Sequence, residues 1–191
     1  MTIPPTDPAP LPGAIGDPRL PGYPWLPARY HGRPFRAPPT LLVIHSGATG
    51  DDVGRYIHNP LARLDDPSAK LCRDGLYRRR VSAHVSARSR NGDFVQQVAM
   101  TEIAFHAGGS LCMGRQRVNN WSIGVEAPAH RGDALDRQFL ALVSALVQVV
   151  PSLEWWTLHR WISGNRRDPL PWDDEQVRVL MEGSGLVEVG R

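Results

Sequence analysis

From residue 40 onwards, the chain alternates between short apolar segments and longer segments with helical periodicity. Five short runs have the length, the apolar or alternating pattern and the flanking turn residues that are typical of β-strands. They are residues 41–45, 81–87, 93–98, 122–127 and 155–158. The sequence RNGD between the second and third runs favours a hairpin turn, so we expect these two strands to pair antiparallel.

The strongest helical pattern lies between residues 134 and 150. Apolar side chains recur there at helical spacing, and Pro151 follows as a stop signal; they are Leu135, Phe139, Leu142, Val143, Leu146 and Val149. A second helix is predicted at residues 173–181 and a short one at 51–58. Strands and helices that alternate in this way predict a mixed β-sheet flanked by helices, in the α/β or α+β class.

Proline is concentrated in the first 38 residues of the chain. Because proline interrupts both helices and sheet ladders, residues 1–38 are predicted to form an extended N-terminal arm. We expect Tyr23, Trp25 and Tyr30 to hold its second half on the domain surface, with a linker or lid as the alternative. The remaining residues, 39–191, are numerous enough for one domain with its own core.

Charge and hydropathy limit the partners of this chain. A net charge of +3 and a pI near 9.2 favour an anionic polymer, such as a cell wall or a nucleic acid. No recognised nucleic-acid-binding motif supports a nucleic acid as the partner. No apolar stretch is long enough to insert into a membrane. The N-terminus has neither the basic nor the apolar region of a signal peptide, so we expect a soluble chain in the cytoplasm.

Three residues of types that coordinate zinc occur far apart in the sequence. His45 ends the apolar run LLVIH, and His159 and Asp168 lie within LHRWISGNRRDP. Two imidazoles and a carboxylate, with one coordination position left for water, form a known catalytic zinc set. The alternative is structural, with His45 ending a strand and His159 pairing with Asp168 across a loop.

Five short motifs occur in a fixed order around these residues: IH at 44–45, SAH at 82–84, FHAGG at 105–109, GRQRVNNWSIGVE at 114–126 and H…RRDP at 159–169. As an ordered set over about residues 40–175, they resemble the zinc-dependent N-acetylmuramoyl-L-alanine amidases. That family shares its fold with phage lysozyme-type amidases and peptidoglycan recognition proteins, and the resemblance implies the same fold here. The central segment is most similar to the cytoplasmic anhydro-muropeptide amidases of cell-wall recycling.

The resemblance implies that His45, His159 and Asp168 bind zinc. Some members have cysteine at the last position, but neither cysteine of this chain lies near residue 168, so aspartate fits. The resemblance also implies that Glu126, at the end of SIGVE, contacts the zinc-bound water and acts as the general base. The alternative for Glu126 is an ordinary surface acid at the end of a strand.

One position departs from the family pattern. The family often has a lysine two positions before the last ligand, where it stabilises the oxyanion, but this chain has Arg166 there. Arginine supplies the charge and the donors for a developing oxyanion, yet it is not deprotonated. The segment from His159 to Asp168 is also one residue shorter than in the recycling amidases, so Arg167 is a second candidate. The sole lysine, Lys70, is distant in sequence.

Substrate contacts are predicted for three further residues. His106, in FHAGG, is expected to line the groove. Arg115 and Arg117, in GRQR, resemble a basic loop of the recycling amidases in which an arginine can grip a stem-peptide carboxylate. Exposure to solvent without a ligand is the alternative for both arginines. His84 is expected to be structural and hydrogen-bonded within the sheet.

These features predict a peptidoglycan hydrolase that cleaves the amide between the lactyl group of N-acetylmuramic acid and L-alanine. Ser46, where recycling enzymes tend to have asparagine, and the proline-rich arm favour a phage or prophage endolysin that reaches the wall through a membrane pore. The alternative is a cytoplasmic enzyme that recycles anhydro-muropeptides. A non-catalytic peptidoglycan-binding module is a third reading, and the complete ligand set argues against it. We expect a monomer whose partner is peptidoglycan or a muropeptide.

Overall fold

A computed structural model describes residues 19–28, 30–46, 81–87, 94–128, 132–164, 169 and 172–190. The predicted helix at 51–58 and the RNGD turn lie outside these residues, and so do Arg166, Arg167 and Asp168. Within the described ranges, no helix is both long enough and apolar enough to cross a membrane.

The described strands form a single mixed sheet. In chain order they are β1 (Leu41–Ser46), β2 (Val85–Ala87), β3 (Phe94–Gln96), β4 (Ser122–Ala127), β5 (Trp155–Leu158) and β6 (Val187–Glu188). Their order across the sheet is β3-β2-β4-β1-β5-β6. Neighbouring strands are parallel, except that β2 and β3 pair antiparallel, as the sequence predicts.

Helices pack on this sheet and a short 3₁₀ turn leads into it. The described helices are α1 (Asp133–Val149), α2 (His159–Ile162) and α3 (Asp174–Met181), and the 3₁₀ turn is Val118–Trp121. Helix α1 buries one stripe of side chains at helical spacing, formed by Phe139, Leu142, Val143 and Leu146. The predicted class, a central mixed sheet flanked by helices, is therefore confirmed.

Strand β1 lies at the centre of the sheet, between β4 and β5, and all six of its residues are buried. A strand buried on both faces requires apolar residues at consecutive positions, which explains its uninterrupted apolar run. Leu42 and Ile44 belong to the larger core cluster, which includes the buried stripe of α1. Leu41 and Val43 belong to a second cluster on the opposite face. By alternation, His45 shares this second face.

The N-terminal segment from residue 19 runs along the β3 side of the sheet. It makes three backbone–backbone hydrogen bonds with Gln96 and Gln97, and these include Leu26 N to the Gln96 carbonyl at 2.9 Å and Ala28 N to the Gln97 carbonyl at 2.8 Å. Tyr23 packs against the main core, whereas the Trp25 side chain is 41% exposed. Backbone hydrogen bonds thus attach this segment to the chain at β3, which is an edge strand among the described strands.

The observed elements differ from the predicted ones mainly at their ends. Strand β2 begins only at Val85, later than the predicted run 81–87, and the backbone N–H of Ser82 is bonded to the Phe105 carbonyl, outside the strands. Strand β6 and helix α2 were not predicted, since two residues and four residues are too short to produce a periodic pattern.

Candidate active site

Three predicted site residues lie side by side at the carboxyl ends of three neighbouring parallel strands. His45 of β1 is directly opposite Glu126 of β4. His159 begins helix α2 directly after Leu158, which pairs with Ile44, so it follows the end of β5 just as His45 follows Ile44 in β1. The carboxyl ends of parallel strands are where clefts form in α/β sheets. Residues separated by more than 100 positions are thus neighbours here because of strand order.

The two histidines are buried and close together. His45 is 2% exposed and His159 is 4% exposed. Their ring centroids are 4.4 Å apart, with the ring planes inclined at 56°. Glu126 is half-buried, and it is opposite His45 in the strand register.

His106 lies over strand β4 on the same side as His45. A β-carbon at Gly124 would be 2.3 Å from the Cγ atom of His106, which is closer than real β-carbons approach any atom. The glycine in SIGVE is therefore required for the ring to sit against the strand. Glycine inside a strand is typical of such a close approach.

Both ring nitrogens of His106 have partners within the protein. Its Nδ1 atom is 3.1 Å from Nε2 of His45, and its Nε2 atom is 3.2 Å from the Ser122 hydroxyl. The Asn119 side chain accepts hydrogen bonds from the backbone N–H groups of His106 and Ala107, at 3.1 and 2.7 Å. Asn119 thus holds the FHAGG loop.

Burial in the middle of a histidine cluster lowers the pKa of His106 well below the usual value for an imidazole. Burial has the largest effect, and the proximity of His45, His84 and His159 lowers this pKa further. This lowered pKa favours the neutral form of the His106 imidazole.

His84 is hydrogen-bonded on both sides of its ring. Its Nδ1 accepts a hydrogen bond from the Gly124 backbone N–H at 3.0 Å, and its Nε2 donates to the Glu102 carbonyl at 2.9 Å. Burial lowers the pKa of His84 to about 4. His84 thus joins the chain before β2 to strand β4, the structural role that the sequence predicts.

The loop that contains Arg115 and Arg117 packs next to helix α2. The backbone N–H of Leu111 donates to the Ile162 carbonyl at 2.9 Å, which connects the loop to the helix that begins at His159. The Arg115 guanidinium lies over the Trp121 ring, 4.2 Å from its centroid. Both arginines are exposed, whereas Trp121 is buried in the second core cluster. Trp121 is thus a core residue on which Arg115 rests.

Arg160 was not singled out in the sequence, yet it connects several parts of the site. Its guanidinium donates hydrogen bonds to the carbonyl oxygens of Pro169 and Trp172 and to the Asp174 carboxylate. Arg160 follows His159 in the chain, and Pro169 follows the predicted ligand Asp168. The residues beside two predicted ligands are therefore bonded to each other, a relation that no local pattern reveals.

The described residues provide part of the ligand set that a zinc ion requires. His45 and His159 offer two buried nitrogen donors, the ligand type that zinc prefers together with one further ligand and a water. Within the described residues, no group of three or more His, Cys, Asp or Glu is arranged to hold a metal ion. The predicted third ligand, Asp168, lies outside the described residues, as do the oxyanion candidates Arg166 and Arg167.

The chain is similar in sequence to characterised bacterial enzymes. It is 35% identical over 169 residues to the 1,6-anhydro-N-acetylmuramyl-L-alanine amidase AmpD of Citrobacter freundii, covering 84% of this chain and 90% of the relative. It is 36% identical over 161 residues to the AmpD of Escherichia coli K12, covering 80% of this chain and 87% of the relative. No protein-family model matches the chain.

Solved structures have the same fold. The crystal structure of a selenomethionine derivative of AmpD superimposes with a TM-score of 0.72 at 31% identity, over 88% of this chain and 99% of that one. The Drosophila peptidoglycan recognition protein SD matches with a TM-score of 0.54 at 14% identity, over 84% of this chain and 90% of that one, a similarity of fold alone.

Proposed function

Because this chain belongs to the family of 1,6-anhydro-N-acetylmuramyl-L-alanine amidases, we propose that it cleaves the lactyl–L-alanine amide of soluble anhydro-muropeptides in the cytoplasm. Membership of the family makes the chain an N-acetylmuramyl-L-alanine amidase. The proposal adds that its substrate is a soluble anhydro-muropeptide. The sequence alone favours a different function, that of an endolysin that lyses cell walls. Both relatives described above are named 1,6-anhydro-N-acetylmuramyl-L-alanine amidases, so they favour the recycling enzyme over the endolysin.

We propose that His45, His159 and Asp168 hold a zinc ion. Supporting this, the first two are buried imidazoles with ring centroids 4.4 Å apart at adjacent strand ends. When bound, zinc acts as a Lewis acid on the scissile carbonyl and increases the acidity of a water molecule. His45 lies on a central strand and His159 begins the helix directly after β5, so both proposed ligands are carried on regular backbone, which limits their movement when the substrate binds.

Glu126 is the proposed general base. Its position opposite His45 places a half-buried carboxylate beside the proposed metal site. It accepts a proton from the attacking water as the oxygen bonds to the lactyl carbonyl carbon. It then donates that proton to the L-alanine nitrogen as the carbon–nitrogen bond breaks. The products are a lactyl carboxylate and the amine of the stem peptide, which takes up the second proton of the water as an ammonium group.

Arginine side chains supply the positive charge in this proposal. Arg166 or Arg167 stabilises the oxyanion of the tetrahedral intermediate through its fixed charge. Arg115 and Arg117 bind a stem-peptide carboxylate, and bidentate pairing suits the guanidinium. Stacking of Arg115 on the buried Trp121 ring restricts its movement and presents its donors at the surface beside α2.

The observation that carries this proposal is the row formed by His159, His45 and Glu126 at the ends of β5, β1 and β4. Mass spectrometry of products from anhydro-muropeptide and from intact sacculi, each with and without a chelator, tests it. We expect chelator-sensitive release of the peptide from anhydro-muropeptide. Faster release from sacculi would instead support the endolysin, and binding without cleavage would support the non-catalytic module.

A further inference from the structure

A chain of hydrogen bonds runs from the backbone near the 3₁₀ turn to His45. The Ser122 hydroxyl is 2.7 Å from the Val118 carbonyl oxygen and 3.2 Å from Nε2 of His106. The Nδ1 atom of His106 is then 3.1 Å from Nε2 of His45. Four residues are thus connected in series, and His45 is the last of them.

The direction of each bond in this series follows from the first one. A carbonyl oxygen can only accept, so the Ser122 hydroxyl proton is donated to Val118. The Ser122 oxygen must therefore accept from His106, whose Nε2 carries the proton. A neutral imidazole has one protonated and one basic nitrogen, so Nδ1 of His106 is basic and accepts from Nε2–H of His45.

We propose that His106 is a positioning residue that holds His45 in its Nε2-protonated tautomer and so leaves Nδ1 as the nitrogen able to bind the metal. This inference rests on the proposed function, because it assumes that His45 is a zinc ligand. The hydrogen bond made by one ring nitrogen of a histidine determines which nitrogen is available to a metal.

Three independent features fix the His106 ring for this purpose. Gly124 makes room for the ring against β4, Asn119 holds the backbone on which it is carried, and Ser122 sets its tautomer. The sequence predicts that His106 lines the groove, and its ring is partly exposed, so a contact with substrate through the ring face stays compatible with this role. Both nitrogens of His106 are engaged with side chains of the protein.

The tautomer can be measured directly in the zinc-free protein by long-range proton–nitrogen NMR correlation of the histidine rings at neutral pH. We expect His45 and His106 both to have a protonated Nε2 and a basic Nδ1. His84 serves as an internal reference, since its bonds to Glu102 and Gly124 fix the same tautomer. A His45 ring protonated at Nδ1 would overturn the inference.

A matched pair of variants tests the consequence for metal binding. Asparagine at position 106 retains an acceptor near the position of Nδ1, while leucine has the same size without one. We expect His106→Leu to weaken zinc binding about 10- to 100-fold in competition with a chelator, and His106→Asn to remain close to the wild type. Wild-type zinc affinity in both variants with only KM raised would overturn the inference in favour of substrate binding.

A second position keeps the test decisive if His106→Leu does not fold. Ser122→Ala removes the acceptor for His106 Nε2, so the NMR signals of both rings should change and zinc binding should weaken. Ser152→Ala is the control, because Ser152 is partly buried and also donates to a backbone carbonyl, that of Pro39, outside the His106 loop. Equal effects of the two serine variants would overturn the inference. Failure of the wild-type protein to bind zinc would contradict the proposed function, whereas the tautomer measurement is independent of it.

Discussion

At the scale of single residues, one substitution can distinguish the role of Glu126 from that of the proposed metal ligands. Glu126→Gln keeps the shape of the side chain but removes its ability to accept a proton. We expect zinc content to be retained and kcat on anhydro-muropeptide to fall about 100- to 10,000-fold. Glu188→Gln is the control, since Glu188 is also a strand glutamate of this sheet but pairs with Arg178. Unchanged kcat in Glu126→Gln would remove this residue from the mechanism.

His84 makes the stability of the fold depend on pH. Its pKa is about 4 in the folded protein, below the value of 6.5 for an exposed histidine. Between these values the unfolded chain binds a proton that the folded chain does not, so stability falls as the pH drops from 6.5 towards 4. The loss is on the order of 3 kcal/mol at the lower end.

Urea unfolding at about pH 7 and about pH 4.5 measures this effect. The change in the free energy of unfolding between the two pH values should be smaller in His84→Gln than in the wild type. An equal change in both proteins would show that His84 does not contribute to acid sensitivity.

The close approach of the His106 ring requires glycine at position 124. In Gly124→Ala, the new methyl group would displace the His106 ring, and we expect a loss of about 1–3 kcal/mol in the free energy of unfolding. Gly109→Ala is the control, because nothing lies within 4 Å of a β-carbon at that position of FHAGG. Chemical denaturation of both variants measures the difference, and equal losses would contradict the close approach of His106.

At the scale of elements, Arg160 connects α2 to the segment that leads into α3. Replacing it in Arg160→Met removes hydrogen bonds to Pro169, Trp172 and Asp174, so we expect a loss of about 1–3 kcal/mol and weaker zinc binding. Arg178→Met is the control, since Arg178 also pairs with carboxylates but connects α3 to β6. Calorimetric titration with zinc checks this. Equal zinc affinity in the two variants would exclude a role for Arg160 at the metal site.

Sequence periodicity is sufficient to predict the longer helices and strands, but it does not predict the geometry of the site. The bounds of β4 and β5 match the predicted runs, and α1 begins and ends one residue earlier than predicted. These elements have local patterns of apolar residues. The pairing of His45 with Glu126 depends instead on strand register between distant segments, and the hydrogen bond from His45 to His106 depends on the space above Gly124. Neither relation leaves a local signal.

At the scale of the whole molecule, residues 19–38 behave as part of the domain that they precede. Their backbone pairs with β3, and the Phe35 ring stacks on His84 with centroids 5.9 Å apart. Removing residues 1–38 should therefore expose a sheet edge, lower Tm and promote aggregation. Thermal unfolding and light scattering measure this, with removal of residues 1–18 as the control. Equal Tm values for the two shortened chains would contradict a stabilising role for residues 19–38.

The position of two proposed ligands beside adjacent strands also bears on how far apart their imidazoles are attached. Neighbouring strands are about 4.8 Å apart, and the His45 and His159 ring centroids are separated by a similar distance of 4.4 Å. The pairing of β1 with β5 continues to Ile44 and Leu158, the residues just before the two histidines, so the backbone that carries the rings cannot separate without breaking the sheet. The width of the sheet therefore sets the distance between the two points of attachment, and rotation of each ring about its own side-chain bonds sets the distance between the nitrogens.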